Sequence, residues 1–526
     1  MDHAEVFITA LLMAVAGLGA LACRLSVPYP IPLVIGGAVA GFIPGLPDID
    51  LEPDLVLALF LPPLLYKSAI YANFGDFRAA VRSLTLSAVA LVIATMAAVA
   101  VVAHTVIPGM PWEAAFVLGA IVSPTDPVAA ATIMRRLGAP RQLISNIEGE
   151  GLFNDATALV AFRVAVAATV AGSFSLVDAG VRFVLGAVGG VAIGLAVGWV
   201  SGWVRAHIYD TQISITISLL TAYAAFLPAE AIGASAVLAV VTAGIVMAIR
   251  SPEVLDAGPR LQGYFVWDIV DFLINATLFA LIGLQLHAIV TGLHEYRFAE
   301  LVMYAAAVTA SLIGIRLVWF FTVPYLVRLV DRRPAQRSRR VGASWRLVTA
   351  WSGMRGAVSL AVALAVPTQT ASGAPFPHRE LILFLTFVII FFTLVVQGLT
   401  LPALIARLDR SGDRDAEEEA RARLTAARAA LEQIDALEDE EWTRPDTAER
   451  MRALYEYRAQ RFSARLSEDG DGDYEKRSQA YQEMVRSVLA AQRRALMAMR
   501  REGSLSNEAF NRILRDIDLE ESRLET

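Results

Sequence analysis

Cysteine is nearly absent: Cys23 stands alone in 526 residues, which excludes an internal disulfide framework and a thiolate metal cluster. Charge is scarce too. Asp, Glu, Lys and Arg make up 18% of the chain against 56% hydrophobic residues, a balance that ordinary soluble domains do not have. The opening residues Met1-Asp2-His3-Ala4-Glu5 lack the basic stretch of a secretory signal. The apolar run behind them therefore reads as a retained membrane span.

What charge there is lies unevenly. Residues 1–410 carry 25 basic and 24 acidic side chains, whereas residues 411–526 carry 20 and 27. The first stretch reads as a membrane domain and the second as a separate aqueous domain. Apolar runs predict about thirteen spans, near 5–23, 31–46, 54–72, 84–107, 112–134, 145–171, 180–204, 212–228, 233–249, 264–290, 300–327, 345–367 and 380–406. Loops on one side carry Arg24, Arg78, Arg82, Arg135, Arg136, Arg141, Arg205, Arg250, Arg260 and the cluster from Arg328 to Arg346. The opposite loops carry Arg182, Arg297 and Arg379. The arginine-rich side is cytoplasmic by the positive-inside rule. This predicts a multi-pass protein of the inner, plasma membrane with its N-terminus outside and its tail inside.

Against that apolar background, Glu148-Gly149-Glu150-Gly151-Leu152-Phe153-Asn154-Asp155 places three carboxylates near the start of one span. Asp155 lies about ten residues in, roughly 15 Å, or half the hydrocarbon thickness. A charge at that depth costs roughly 2.5–3.5 kcal/mol, so it pairs, meets water or binds an ion. Asp126 and Arg355 fall at the same depth in two other spans. Their convergence points to a substrate pathway; a structural ion-pair cluster is the plainer alternative.

Two spans carry helix breakers at mid-depth. In Ser123-Pro124-Thr125-Asp126-Pro127, two prolines flank Thr-Asp and remove backbone donors. In Trp351-Ser352-Gly353-Met354-Arg355-Gly356-Ala357-Val358-Ser359, two glycines weaken the helix. Unwound backbone inside a membrane is tolerated where protein buries it or water reaches it, and half-helix ends there form ion sites. If spans 1–6 repeat as 8–13, the two broken spans occupy matching positions.

These segments, Ser-Pro-Thr-Asp-Pro, Glu-Gly-Glu-Gly-Leu-Phe-Asn-Asp and Gly-Met-Arg-Gly-Ala-Val-Ser-Leu, resemble the signatures of monovalent cation–proton antiporters. The branch is that of NhaP-type bacterial sodium/proton antiporters, relatives of the animal sodium/proton exchangers. The resemblance spans about residues 5–406. It implies an all-α polytopic membrane fold with inverted repeats and two crossed discontinuous helices. It also implies a homodimer, with a dimerisation part at about 5–72 and 180–290 and a core part at about 84–171 and 300–406. The core would carry Asp155 between the two sides like an elevator. The partners expected are sodium or potassium, protons and the bilayer, with no nucleic acid, no cofactor and no enzymatic activity.

Carried over by position, Asp155 binds the cation or the proton, and Thr125 and Asp126 supply neighbouring ligands. Asn154 belongs to an Asn-Asp pair that goes with electroneutral, one-for-one exchange. Glu150 and Arg355 match a structural ion pair. Gly151 and Glu148 lie on the helix face of Asp155. The chain departs from the pattern where Gly151 replaces a serine, removing a hydroxyl ligand, and where Ala156 replaces a glycine. It departs again where Lys67 stands in place of an acid. Lys67 either snorkels to the cytoplasmic interface or acts as a fixed cation near the site. These changes bring potassium into contention beside sodium.

One carboxylate with two competing ligands suffices for exchange. Neutralised by a proton or a cation it can cross, whereas ionised and empty it is costly to move through a dry gap. Among other ionisable groups, Asp268, Asp271, Arg163 and Arg316 pair within the bundle or face water. His3, His104, His287, His294 and His378 fall near outer ends.

Residues 411–526 read as an aqueous helical tail that supports the dimer, binds a regulator or is a plain appendage. Pro445-Asp446-Thr447-Ala448-Glu449 predicts a helix start with a capping box. Ser504 or Ser506 caps a last helix with Phe510, Ile513, Leu514 and Ile517 on one stripe. Asp469-Gly470-Asp471-Gly472-Asp473 opens like a calcium loop, but Tyr474 and Ala480 break the pattern and leave a turn. Two rival classes are a cation channel, for which no filter sequence is present, and an intramembrane aspartyl hydrolase using Asp126 and Asp155.

Overall fold

The computed structural model describes residues 3–25, 29–43, 53–71, 86–171, 176–294, 296–330, 342–408, 414–438, 440–466, 472–502 and 504–522. Helices make up the membrane part: α1 (His3–Leu25), α2 (Pro30–Gly41), α3 (Pro53–Ile70), α4 (Val92–Val106), α5 (Trp112–Val122), α6 (Pro127–Arg136) and α7 (Arg141–Ala171). They continue as α8 (Leu176–Ala206), α9 (Thr211–Ala231), α10 (Ala236–Val254), α11 (Ala257–Thr291), α12 (Phe298–Val330), α13 (Ala343–Trp351), α14 (Ala357–Leu364), α15 (Arg379–Phe392) and α16 (Gly398–Ile405). A π-helical turn at Leu86–Leu91 leads into α4, and another at Thr393–Gln397 joins α15 to α16.

Eight described helical segments are long and apolar enough to cross a membrane, including Leu143–Ala171 and Phe298–Leu326. The predicted spans at 112–134 and 345–367 are not continuous helices. Each is a pair of short ones, α5 with α6 and α13 with α14. Large apolar side chains face outward along α8, among them Val184, Leu185, Val188, Leu195, Trp199 and Trp203. A continuous exposed apolar face of this kind suits lipid.

Packing divides these helices into two sets. In one, α2 lies on α11, and α10 on α8, α3 and α9; in the other, α5 lies on α4 and α7, and α12 on α4 and α13. Small residues permit the tight crossings. A Cβ on Gly37 would lie 2.3 Å from the Ala280 carbonyl oxygen, and one on Gly194 2.4 Å from that of Ala239. With no hydrophobic drive between helices in lipid, such backbone approach supplies the dispersion contacts that hold them. The sets meet where α3 and α11 pack on α14.

Residues Arg410–Thr526 form a unit of their own. There α17 (Arg414–Glu438) packs on α18 (Pro445–Leu466), and α19 (Gly472–Arg501) on α20 (Asn507–Ser522). Pro445 is the first residue of α18, where its missing N–H costs nothing. Asp446 is therefore inside the first turn, paired with Arg450 at 3.4 Å, and is not the cap. Ser506 does cap α20, its hydroxyl accepting from the Ala509 N–H at 3.2 Å. Phe510 and Ile517 are buried against Leu489 and Leu496, with Leu514 beside them. Ile513, predicted on the same stripe, is 40% exposed. Residues 469–471 of the acidic turn lie outside the described residues, and α19 begins at Gly472.

Candidate ion site at the crossing of two broken helices

The chain unwinds over 123–126 between α5 and α6 and over 352–356 between α13 and α14. The two breaks touch through their main chains, the Asp126 N–H donating to the Met354 carbonyl at 2.8 Å. Contact is so close that a Cβ on Gly356 would lie 1.7 Å from Asp126 Oδ2. The Asp126 carboxylate thus sits directly ahead of α6 and against the first turn of α14. Both are helix N-termini, where the unpaired N–H groups favour an anion.

Arg355 occupies the complementary position. Its Nε donates to the Val122 carbonyl at 2.8 Å and its Nη1 to the Gly353 carbonyl. The Val122 oxygen belongs to the carbonyl end of α5, which favours a cation, and the Gly353 oxygen to the unwound stretch after α13. The Arg355 N–H donates to Thr393 Oγ1 at 3.2 Å, and the residue is 1% exposed. The two breaks therefore set two helix N-termini against Asp126 and the C-terminal end of α5 against Arg355, each met by a fixed charge of opposite sign.

A cleft of about 30 Å³ opens at the crossing, lined by Thr125, Asp126, Asp155 and Ser359 on one side and by Ser68, Asp271 and Asn275 on the other. That volume holds an occupant the size of a water or a bare monovalent ion. Asp155 reaches it from α7 and is 8% exposed. Asn154, 1% exposed, donates from Nδ2 to Thr125 Oγ1 at 3.2 Å and to Glu150 Oε1 at 3.4 Å. Its Oδ1 is a buried acceptor with no partner among the described residues.

Gly151 has a steric role. A Cβ there would come within 2.7 Å of the Pro127 ring and 3.3 Å of the Thr125 carbonyl oxygen. The bare backbone lets the first break lie against α7, so the space a serine hydroxyl would use belongs to Pro127.

One expected partnership differs. The ion pair of Glu150 is with Arg316 Nη1 at 2.6 Å, and not with the predicted Arg355. Arg316 comes from α12 beneath the second break, where its Nε and Nη2 donate to the carbonyls of Ala350 and Thr349 at 3.1 and 3.2 Å. Gly353 leaves room for it, since a Cβ there would lie 2.3 Å from Arg316 Nε. Lys67, expected either to snorkel or to act as a fixed cation near the site, is held in a bridge between two acids. Its Nζ is 3.0 Å from Asp268 Oδ1 and 3.0 Å from Asp271 Oδ2. Glu148 pairs with Arg135. Asp271 and Asn275 are cleft residues that the motifs do not mark; their signal is two polar groups four apart in an apolar run.

Residues 8–407 match the family model described as sodium/hydrogen exchanger, transmembrane. An uncharacterised Na+/H+ exchanger of Mycobacterium tuberculosis is 36% identical over 99% of this chain and 96% of its own length. A sodium, potassium, lithium and rubidium/H+ antiporter of Bacillus subtilis is 34% identical over 72% of this chain and 58% of its own. The sodium proton antiporter MjNhaP1 from Methanocaldococcus jannaschii shares the fold, with TM-score 0.62 at 17% identity over 77% of this chain and 98% of that one. The class is that of membrane-embedded monovalent cation–proton antiporters, which are transporters and not enzymes. Within it, this chain belongs to the sodium/hydrogen exchanger family.

Proposed function

We propose that this antiporter exchanges one sodium ion for one proton across the plasma membrane, with Asp155 as the group that takes each in turn. The observation that carries the reading is the cleft in which Asp155 shares a wall with Asp126 and Thr125 at the crossed breaks. Asp126 is held by two helix N-termini, so it is a fixed ligand. Asp155 lies on the continuous helix α7 and is the group left to change state. Asn154, next to Asp155 in the chain, brings a neutral amide whose Oδ1 has no partner among the described residues. A bare Asp155 is costly in the dry interface between the helix sets, which favours crossing only when it is neutralised.

A single carboxylate beside a neutral asparagine moves no net charge in a one-for-one swap. A tenfold proton gradient then supplies roughly 1.4 kcal/mol whatever the voltage. The set containing α4 to α7 and α12 to α16 would move as the core, and α1 to α3 with α8 to α11 would form the dimerising scaffold. Potassium is a second cargo reading, favoured by Gly151, which brings no hydroxyl to compact the ligand shell around a smaller ion.

The test is pH-gradient-driven flux of sodium, potassium and lithium in proteoliposomes with the voltage clamped by an ionophore. Exchange is expected to saturate, to be unaffected by the clamp, and to vanish in Asp155→Asn while the protein still folds. Normal exchange in that variant would end the reading.

A further inference from the structure

The wall opposite Asp155 carries charges of its own. Lys67 on α3 bridges Asp268 and Asp271 on α11, at 3.0 Å to each. Asp271 Oδ1 also accepts from Asn275 Nδ2 at 2.9 Å, so both carboxylate oxygens are held in place. Asp271 and Asn275 line the cleft with Asp126 and Asp155, whereas Lys67 and Asp268 do not. The side chain of Asp271 is 10% exposed and that of Asp268 45%. One acid of the bridge therefore faces the ion cleft, and the other faces outward.

The three charges sum to one negative charge, divided unequally. An ion in the cleft is attracted by Asp271 from across the gap, and Lys67 subtracts from that attraction. Such interactions are weakly screened because Asp271 and Asp155 are both largely buried. A lysine placed here without its two acids would repel every cation entering the site. With them, it weakens the wall's pull without reversing it.

We propose that the Lys67–Asp271 pair sets the cation affinity of the cleft, Asp271 drawing the ion from the scaffold wall and Lys67 holding that pull down. The inference rests on Asp155 as the exchanging group, and it makes Asp271 a specificity-determining residue outside the crossed helices. Rigid packing of α3 on α10 and α11 keeps the pair on the wall. Its charge therefore acts on the site from a fixed position.

Full-length protein in proteoliposomes, assayed for sodium-dependent proton flux, tests this through the apparent KM. Lys67→Met is expected to lower the KM and Asp271→Asn to raise it, each by about tenfold for one unit charge in a poorly screened cleft. The double variant restores the wall's net charge and returns the KM to within about threefold of wild type. Asp268→Asn, on the outward side, shifts it less than Asp271→Asn, and Lys67→Arg leaves it near wild type. A purely structural role would move both single variants in one direction. Shifts of the same sign, or none in either, overturn the proposal. Should Lys67→Met fail to assemble, Asp271→Asn must still raise the KM and the double variant must still lie below it. If wild type exchanges sodium and Asp155→Asn does not, a failure here leaves the role of Asp155 standing.

Discussion

The crossing of the broken helices and the C-terminal helices hold their arginines in opposite ways. At the crossing, Arg355 is satisfied by the carbonyls of Val122 and Gly353, and Arg316 by Glu150 and the carbonyls of Ala350 and Thr349. In the tail, Arg452 reaches Glu438 at 2.5 Å and Asp435 at 2.8 Å, while Arg493 reaches Glu521 and Asp518. The carboxylates of Glu438 and then Asp435 push the Arg452 guanidinium above its ordinary range. Because that shift is upward, whatever stability it lends is present below the ordinary arginine range and is lost only in strong alkali. In the membrane, main-chain dipoles do what water does for the tail. A main-chain dipole has one position, and water has many, so the crossing should tolerate far less change.

Gly356→Ala tests that contrast most severely. Its Cβ would meet Asp126 Oδ2 and lie 2.6 Å from Asp126 Cβ, so the carboxylate and the Asp126–Met354 main-chain bond cannot both keep their places. Exchange is expected to fall by about a hundredfold or more, the scale on which misplaced site groups lose function. The protein should still insert and fold, as size-exclusion chromatography would report. Near-normal flux would mean that the breaks have slack after all. Gly151→Ser probes the same region with a smaller intrusion. As a recovered ligand, the hydroxyl would raise sodium affinity. Pressed against Pro127, it should instead cut turnover by about tenfold, in keeping with overpacking costs of about 1–3 kcal/mol. A lower KM with full turnover would show that Pro127 yields.

The elements of the crossing are legible in the sequence because each departs from an apolar background. Asp126, Asp155 and Arg355 are ionisable groups at mid-depth, and Pro124, Pro127, Gly353 and Gly356 interrupt their helices. Which acid meets which arginine is not legible. Glu150 faces Arg316 because of how α12 is rotated, and a helix apolar on every face carries no periodicity to set that rotation. Asp268 and Asp271 are three apart on one helix face, which signals a shared partner but does not name Lys67. Gly151 looks like a missing ligand until Pro127 is seen against it, since spacing along α7 says nothing about the ring of a residue on α6. The π turns at Leu86–Leu91 and Thr393–Gln397 contain no proline or glycine to announce them.

The smallest effect is expected in the tail, from Arg452→Ala. The variant removes a bidentate bridge between α17 and α18, yet Arg452, Asp435 and Glu438 all have solvent beside them, and water replaces what each loses. Hydrogen exchange of the full-length protein would follow the amides of α17 and α18 directly. Their protection should change little relative to wild type, because apolar side chains such as Ala420, Leu424, Ala427 and Ala448 remain buried. Protection lost along both helices would show that an exposed ion pair can be as indispensable as one held by helix ends. The distinction between charges that water can rescue and charges that only the main chain can hold would then no longer separate the two regions.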